Sequence, residues 1–143
     1  MNDYAQLLVY PMSFFVVYVV VFMMLQYRMR VRTQKSGAMS FKFFYAYDAS
    51  KYPPSDQVIV WRNHYDNTFQ VPILFMIACV AHMVVGEVNG LTVALAWAFV
   101  GSRVWHAIEH LGRNSLSWRP WLFFSGVLLV LAMYLQLCWF VAR

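Results

Sequence analysis

Charge is scarce in this chain: 12% of its 143 residues are Asp, Glu, Lys or Arg, about half the ~25% usual in soluble domains. With 62% hydrophobic residues, that deficit excludes an ordinary soluble or disordered chain. It points to an integral membrane protein, with room for one domain over residues 1–143. Internal repeats and low-complexity segments are absent as well. No small-residue cleavage site follows the first apolar run, which at residues 7–26 also outlasts the roughly 7–15 residues of a signal-peptide core. That run is expected to stay in the mature protein. Cysteine is limited to Cys79 and Cys138, both inside apolar stretches, where they read as small buried apolar side chains.

What is present are four apolar stretches, about 7–26, 58–85, 91–111 and 120–141. Each is long enough for the roughly 20 helical residues that cross a hydrocarbon core. The expected fold is an all-α bundle of four transmembrane helices. The first and last stretches are nearly free of charge and read as wall; the middle two hold most of the buried polar groups and read as site. The formal charge of +5 is concentrated in the first and third loops: Arg28, Arg30, Arg32, Lys35, Lys42 and Lys51, then Arg113 and Arg119. The opposite side has only Arg143. By the positive-inside rule both basic loops are expected in the cytoplasm and both termini outside. Such charge sets orientation and holds anionic membrane lipid, so no nucleic-acid partner is expected.

Residues 28–57 read as one long loop. Its aromatics and lysines fit a segment lying on the headgroups or packing over the mouth of the bundle. Pro53-Pro54-Ser55-Asp56 signals the start of the second helix. That helix opens with a polar run, Arg62-Asn63-His64-Tyr65-Asp66-Asn67-Thr68-Phe69-Gln70, before Pro72. Ionisable and amide groups are costly at bilayer depth, so they are expected to face the bundle interior or a wet cavity. Asn63, Asn67 and Gln70 form one stripe (i, i+4, i+7), and Arg62 with Asp66 a second. Helix-to-helix contact alone would account for them, as would contact combined with ligand binding. His82, farther along, reads as an interfacial residue.

In the third span Arg103, His106 and His110 share a helix face (i, i+3, i+7), with Glu109 at its edge. At 1.5 Å rise per residue Arg103 lies about 12 Å from the inner end of its span and Asn67 about 14 Å into its own. The two polar clusters therefore share one depth. Arg103 could snorkel to headgroups, but inward placement, binding an anion or an acid of the second span, is favoured. His106-Ala107-Ile108-Glu109-His110 also matches a zinc-hydrolase pattern, H-x-x-E-H. No compelling third ligand follows it, and the separation of His64 is not readable from sequence. A polar, hydrogen-bonded helix end is preferred, and no metal is expected.

The four spans, the long basic first loop, the polar start of the second helix before Pro72 and the Gly101-x-Arg103-x-x-His106 stretch together resemble the MAPEG family, the membrane-associated proteins of eicosanoid and glutathione metabolism. The chain looks like a divergent, bacterial-type member. The resemblance implies a homotrimer with sites between subunits in the cytoplasmic half of the membrane. It further implies glutathione as cofactor, with Arg103 facing the thiol and stabilising the thiolate that attacks a lipophilic electrophile or peroxide. The family pattern Arg-x-x-x-Asn-x-x-Glu maps with Asn67 at the asparagine, Asn63 at the arginine and Gln70 at the glutamate. A second register uses Arg62, Asp66 and Phe69. The first is preferred because Gln70 keeps the glutamate's shape and hydrogen bonding. On this resemblance Arg103 is the catalytic residue, and Asn67, Gln70, Asn63, Arg62, His64 and His106 bind the cofactor. The alternative is a non-enzymatic lipid-binding scaffold or accessory subunit of a larger membrane complex.

Overall fold

The computed structural model describes residues 3–113, 115 and 117–143, without the side chains of Asp3, Phe41 and Ala46. Among the described residues the elements are helices: α1 (Asp3–Lys35), α2 (Phe41–Ala46), α3 (Asp56–Val85), α4 (Gly90–Leu111) and α5 (Trp118–Val141). All but α2 are long and apolar enough to cross a membrane. The chain is thus an all-helical, multi-pass integral membrane protein built on a four-helix bundle.

The first loop is shorter than the sequence suggests. Helix α1 runs on through Arg28, Arg30 and Arg32 to Lys35, because these are good helix formers and cations in a last turn complement the helix dipole. At 33 residues it is about 50 Å long, well beyond a hydrocarbon layer of roughly 30 Å. Its basic end therefore projects past the apolar layer. The remainder of the loop folds over the mouth of the bundle, where α2 presses Phe43 into a small core with Met29, Met39 and Val58. Arg30 and Arg62 lie over the rings of Phe44 and Tyr47, at 5.3 and 5.5 Å from their centroids.

At the other end α3 stops at Gly86, whose φ of 79° is left-handed backbone that suits glycine. Helix α4 then starts on a capping box. The Asn89 side chain accepts from the Thr92 amide at 3.1 Å while the Thr92 hydroxyl receives the Asn89 N–H at 3.3 Å. Gln136 of α5 donates to the same Asn89 oxygen at 3.1 Å. Asn89→Ala is expected to cost about 1–2 kcal/mol of stability, read as an earlier midpoint when the detergent-solubilised protein is unfolded by denaturant. An unchanged midpoint would count against the cap.

Helix α4 packs against α1, α3 and α5. Its inner face meets a ring cluster in which Phe75 and Phe99 stack at 4.3 Å and Phe15 closes edge-on to Phe75. Outward positions such as Val17, Val20, Leu128 and Leu135 are apolar and exposed, as a lipid-facing wall requires. One expectation of burial fails here, at Cys138. His82, in the last turn of α3, is fully buried within the protein: its Nδ1 lies 3.0 Å from the Glu87 carbonyl and its Nε2 3.0 Å from that of Met133. It ties α3 to the turn and to α5, a polar contact whose worth rises where water is excluded. Cys138 is exposed on the outer face of α5, whereas Cys79 is buried.

Candidate functional site

Between the ring cluster and the basic end the bundle encloses a polar centre. Helix α4 contributes three residues on one face, and all three are buried: Arg103 and His106 are each 4% exposed and His110 is 0%. Helix α3 contributes His64 and Thr68, one turn apart on its inner face and also buried. Pro72, one turn farther on, lacks an N–H and leaves the Thr68 carbonyl without its helical donor. The Thr68 hydroxyl bonds back to the His64 carbonyl at 2.8 Å. From α1 comes Tyr18, whose hydroxyl lies 3.1 Å from His64 Nε2.

Hydrogen bonds give this centre a direction. The Arg119 guanidinium, at the start of α5, contacts His110 Nε2 at 2.7 Å. A guanidinium only donates, so this ring nitrogen accepts. A neutral His110 then carries its proton on Nδ1, which faces His64 Nδ1 at 3.4 Å. His64 accepts there and donates from Nε2 to Tyr18. His106 stands apart from this chain: its ring lies parallel to His64 with centroids 5.6 Å apart, and both of its nitrogens are buried without a hydrogen-bond partner. One ring nitrogen from each of His64, His106 and His110 lies within 4.8 Å of the other two, an arrangement able to hold a metal ion. The third imidazole that sequence could not supply is thus His64.

Arg103 points inward and does not snorkel. Its Nη2 donates to the Leu122 and Phe123 carbonyls of α5 at 2.6 and 3.2 Å, while its Nε is buried and unpaired. The rings of Phe99 and Phe123 flank it at 5.6 and 5.7 Å. Its described hydrogen bonds go to carbonyls, none to Asp66. An internal cleft of about 10 Å³ joins Arg103 to Tyr18, His64, Asn67 and His106, which is room for about one water or small ion. Immediately outside, an open cleft of about 350 Å³ between α3 and α5 is lined by Asn67, His106, Arg119, Pro120, Phe123 and Phe124. Asn67 and His106 border both.

The remaining site residues read from sequence lie elsewhere. Asn63 and Gln70 are exposed on the outward face of α3, as is Asp66. Arg62 is exposed and turned toward Tyr47. Of the site residues read from sequence, Asn67, His64 and His106 share a cleft with Arg103. Sequence reasoning passed over Tyr18, Arg119 and Gly126. The one tyrosine in the middle of the first span was a signal for the first of these; Arg119 and Gly126 become visible only once α4 and α5 are packed.

Fold and site together define a multi-pass membrane bundle with a buried cationic and imidazole centre. The family model that matches is MAPEG, over residues 8–139, nearly the whole chain. The chain belongs to the MAPEG family, whose members include glutathione-dependent transferases and peroxidases along with others. No curated protein and no solved structure matches it.

Proposed function

We propose that this protein is a thiol-dependent membrane enzyme that uses glutathione for transfer or peroxide reduction on lipophilic substrates, with Arg103 facing the thiolate. The observation that carries the reading is the state of Arg103: a buried guanidinium with no carboxylate beside it among the described residues and an unpaired Nε. An uncompensated buried charge is strongly destabilising, and an anion drawn into the adjoining cleft relieves it. Glutathione, when bound, supplies the nucleophilic thiol. A fixed cation beside that thiol favours its thiolate form, and exclusion of water strengthens the attraction. The unpaired Nε and the Asn67 side chain at the border of both clefts fit such a ligand.

The active form in this reading is a homotrimer with the site completed between copies. Asn63, Asp66 and Gln70 face outward within the span of α3, where lipid would leave their polar atoms without partners at a cost of several kcal/mol each. A neighbouring copy, or a ligand held against it, satisfies them. The basic loops lie in the cytoplasm and both termini outside, as the distribution of Lys and Arg favours. Membrane lipid surrounds the assembly.

One feature favours a second reading, a lipid-binding scaffold or accessory subunit of a larger complex. An apolar groove of about 330 Å³ on α1 and α3, lined by Val16, Val19, Phe69, Pro72, Ile73 and Met76 among others, suits an acyl chain as well as a lipophilic substrate. Calorimetry separates the two. The enzyme reading expects saturable heat from glutathione and much weaker binding of S-methylglutathione, which cannot form a thiolate. Absence of heat at millimolar glutathione would sink it and leave the scaffold.

A further inference from the structure

We propose that His64, His106 and His110 together bind one divalent transition-metal cation of zinc type. The inference is independent of the thiol reading. Two imidazole nitrogens on a tetrahedral zinc, with Zn–N bonds of about 2.0–2.1 Å, stand about 3.3 Å apart. The Nδ1 atoms of His64 and His110 are 3.4 Å apart, and one ring nitrogen from each of the three histidines lies within 4.8 Å of the other two. A rotation of the His106 side chain closes the set.

Two further features point to a ligand. His106 is 4% exposed, and neither of its ring nitrogens has a hydrogen-bond partner. A buried imidazole normally satisfies at least one nitrogen; the Arg119 backbone is the protein group nearest to serving this ring, and it leaves at least one nitrogen free for a ligand. Meanwhile His64 has its Nε2 at 3.1 Å from the Tyr18 hydroxyl, leaving the lone pair on Nδ1 toward His110. Anchoring one nitrogen by a hydrogen bond so that the other faces the metal is the usual support of a ligating histidine. Three neutral imidazoles select zinc, copper, iron or nickel over magnesium or calcium.

Arg119 is the obstacle, and it makes the proposal sharper. While its guanidinium donates to His110 Nε2 at 2.7 Å, the proton of a neutral His110 sits on Nδ1, where the metal has to bind. Coordination at Nδ1 moves that proton to Nε2, and there it opposes the guanidinium N–H. Arg119 and the metal therefore compete, and Arg119, only partly buried at the start of α5, is the group that moves aside. The three histidines leave one position of a tetrahedral ion for an outside ligand. Arg103, across the small shared cleft, favours an anion there.

The test uses full-length protein in detergent, stripped with a chelator and titrated with Co²⁺ as a spectroscopic probe, in the absence of thiols. The expected result is one Co²⁺ per chain with the intense visible bands of a tetrahedral site, displaced by one equivalent of Zn²⁺. His106→Ala and His110→Asn are each expected to weaken binding by more than about 100-fold, beyond the 10–100-fold that loss of a merely supporting residue costs. Arg119→Met is expected to tighten binding at least threefold. Wild-type protein that develops no saturable bands overturns the proposal whether or not the variants fold, as do bands that survive both histidine substitutions. Arg119→Met that binds equally or more weakly removes the competition. Glutathione binding that fails while Co²⁺ binding persists dismisses the thiol reading alone.

Discussion

Arg103→Met is expected to abolish glutathione binding while leaving the bundle as stable as before or more so. The two halves of this result come from one fact, the burial of a cation with no acidic partner among the described residues. Truncating one member of a desolvated charge pair costs about 2–5 kcal/mol, so the affinity for a thiolate falls by roughly 30- to 4,000-fold. Stability moves the other way. Among the described residues the guanidinium is held by the Leu122 and Phe123 carbonyls and two flanking rings. Replacing a buried charge by a well-packed apolar side chain of similar length is often neutral or stabilising by about 1–4 kcal/mol. Methionine fills an irregular space flexibly and suits contact with Phe99 and Phe123. Calorimetry with glutathione and a thermal melt on the same preparation read both quantities. A variant that binds as wild type would dismiss Arg103 as the anion site; one that melts far earlier would show that its work is structural.

Much of this architecture was legible in the order of residues. The spans, the start of α3 after Pro53-Pro54 and the short turn before α4 follow from apolar run length, proline and glycine, which act locally. The inward face of α4 was readable for the same reason, since Arg103, His106 and His110 repeat at helical spacing and all three are buried. What sequence did not yield is anything that depends on how one helix is rotated against another. The polar run of α3 divides into stripes by spacing, but spacing does not say which stripe turns inward, and a single helix cannot turn Asn63, His64 and Asp66 the same way. Only His64 and Thr68 fall on its inner face, with Asn67 at the border. The meeting of His64 with His106 and His110 needs two helices set at one depth and one rotation. The continuation of α1 to Lys35 was hidden by its charges, which resemble a loop until the helix is seen to leave the apolar layer.

Gly126 allows the strongest test of how the site is seated. It is the buried glycine of α5, and a Cβ there would collide with Arg103 Nη2 and stand 2.7 Å from Cζ and 2.9 Å from Nε. Gly126→Ala therefore drives the guanidinium from its seat and strips the contacts to the Leu122 and Phe123 carbonyls. In the wild-type background this overpacking is expected to cost about 1–3 kcal/mol and to reduce glutathione binding nearly as far as Arg103→Met does. With Arg103→Ala already present the same substitution meets open space. It then gains the helix preference of alanine over glycine, about 0.8–1 kcal/mol. The sign of the Gly126→Ala effect thus reverses with residue 103, a coupling of roughly 2–4 kcal/mol that lies beyond the few tenths expected of independent sites. Denaturant midpoints for the four proteins of the cycle measure it. Additive values would mean that Arg103 does not occupy the space beside Gly126, and that the cation reaches its anion from some other position.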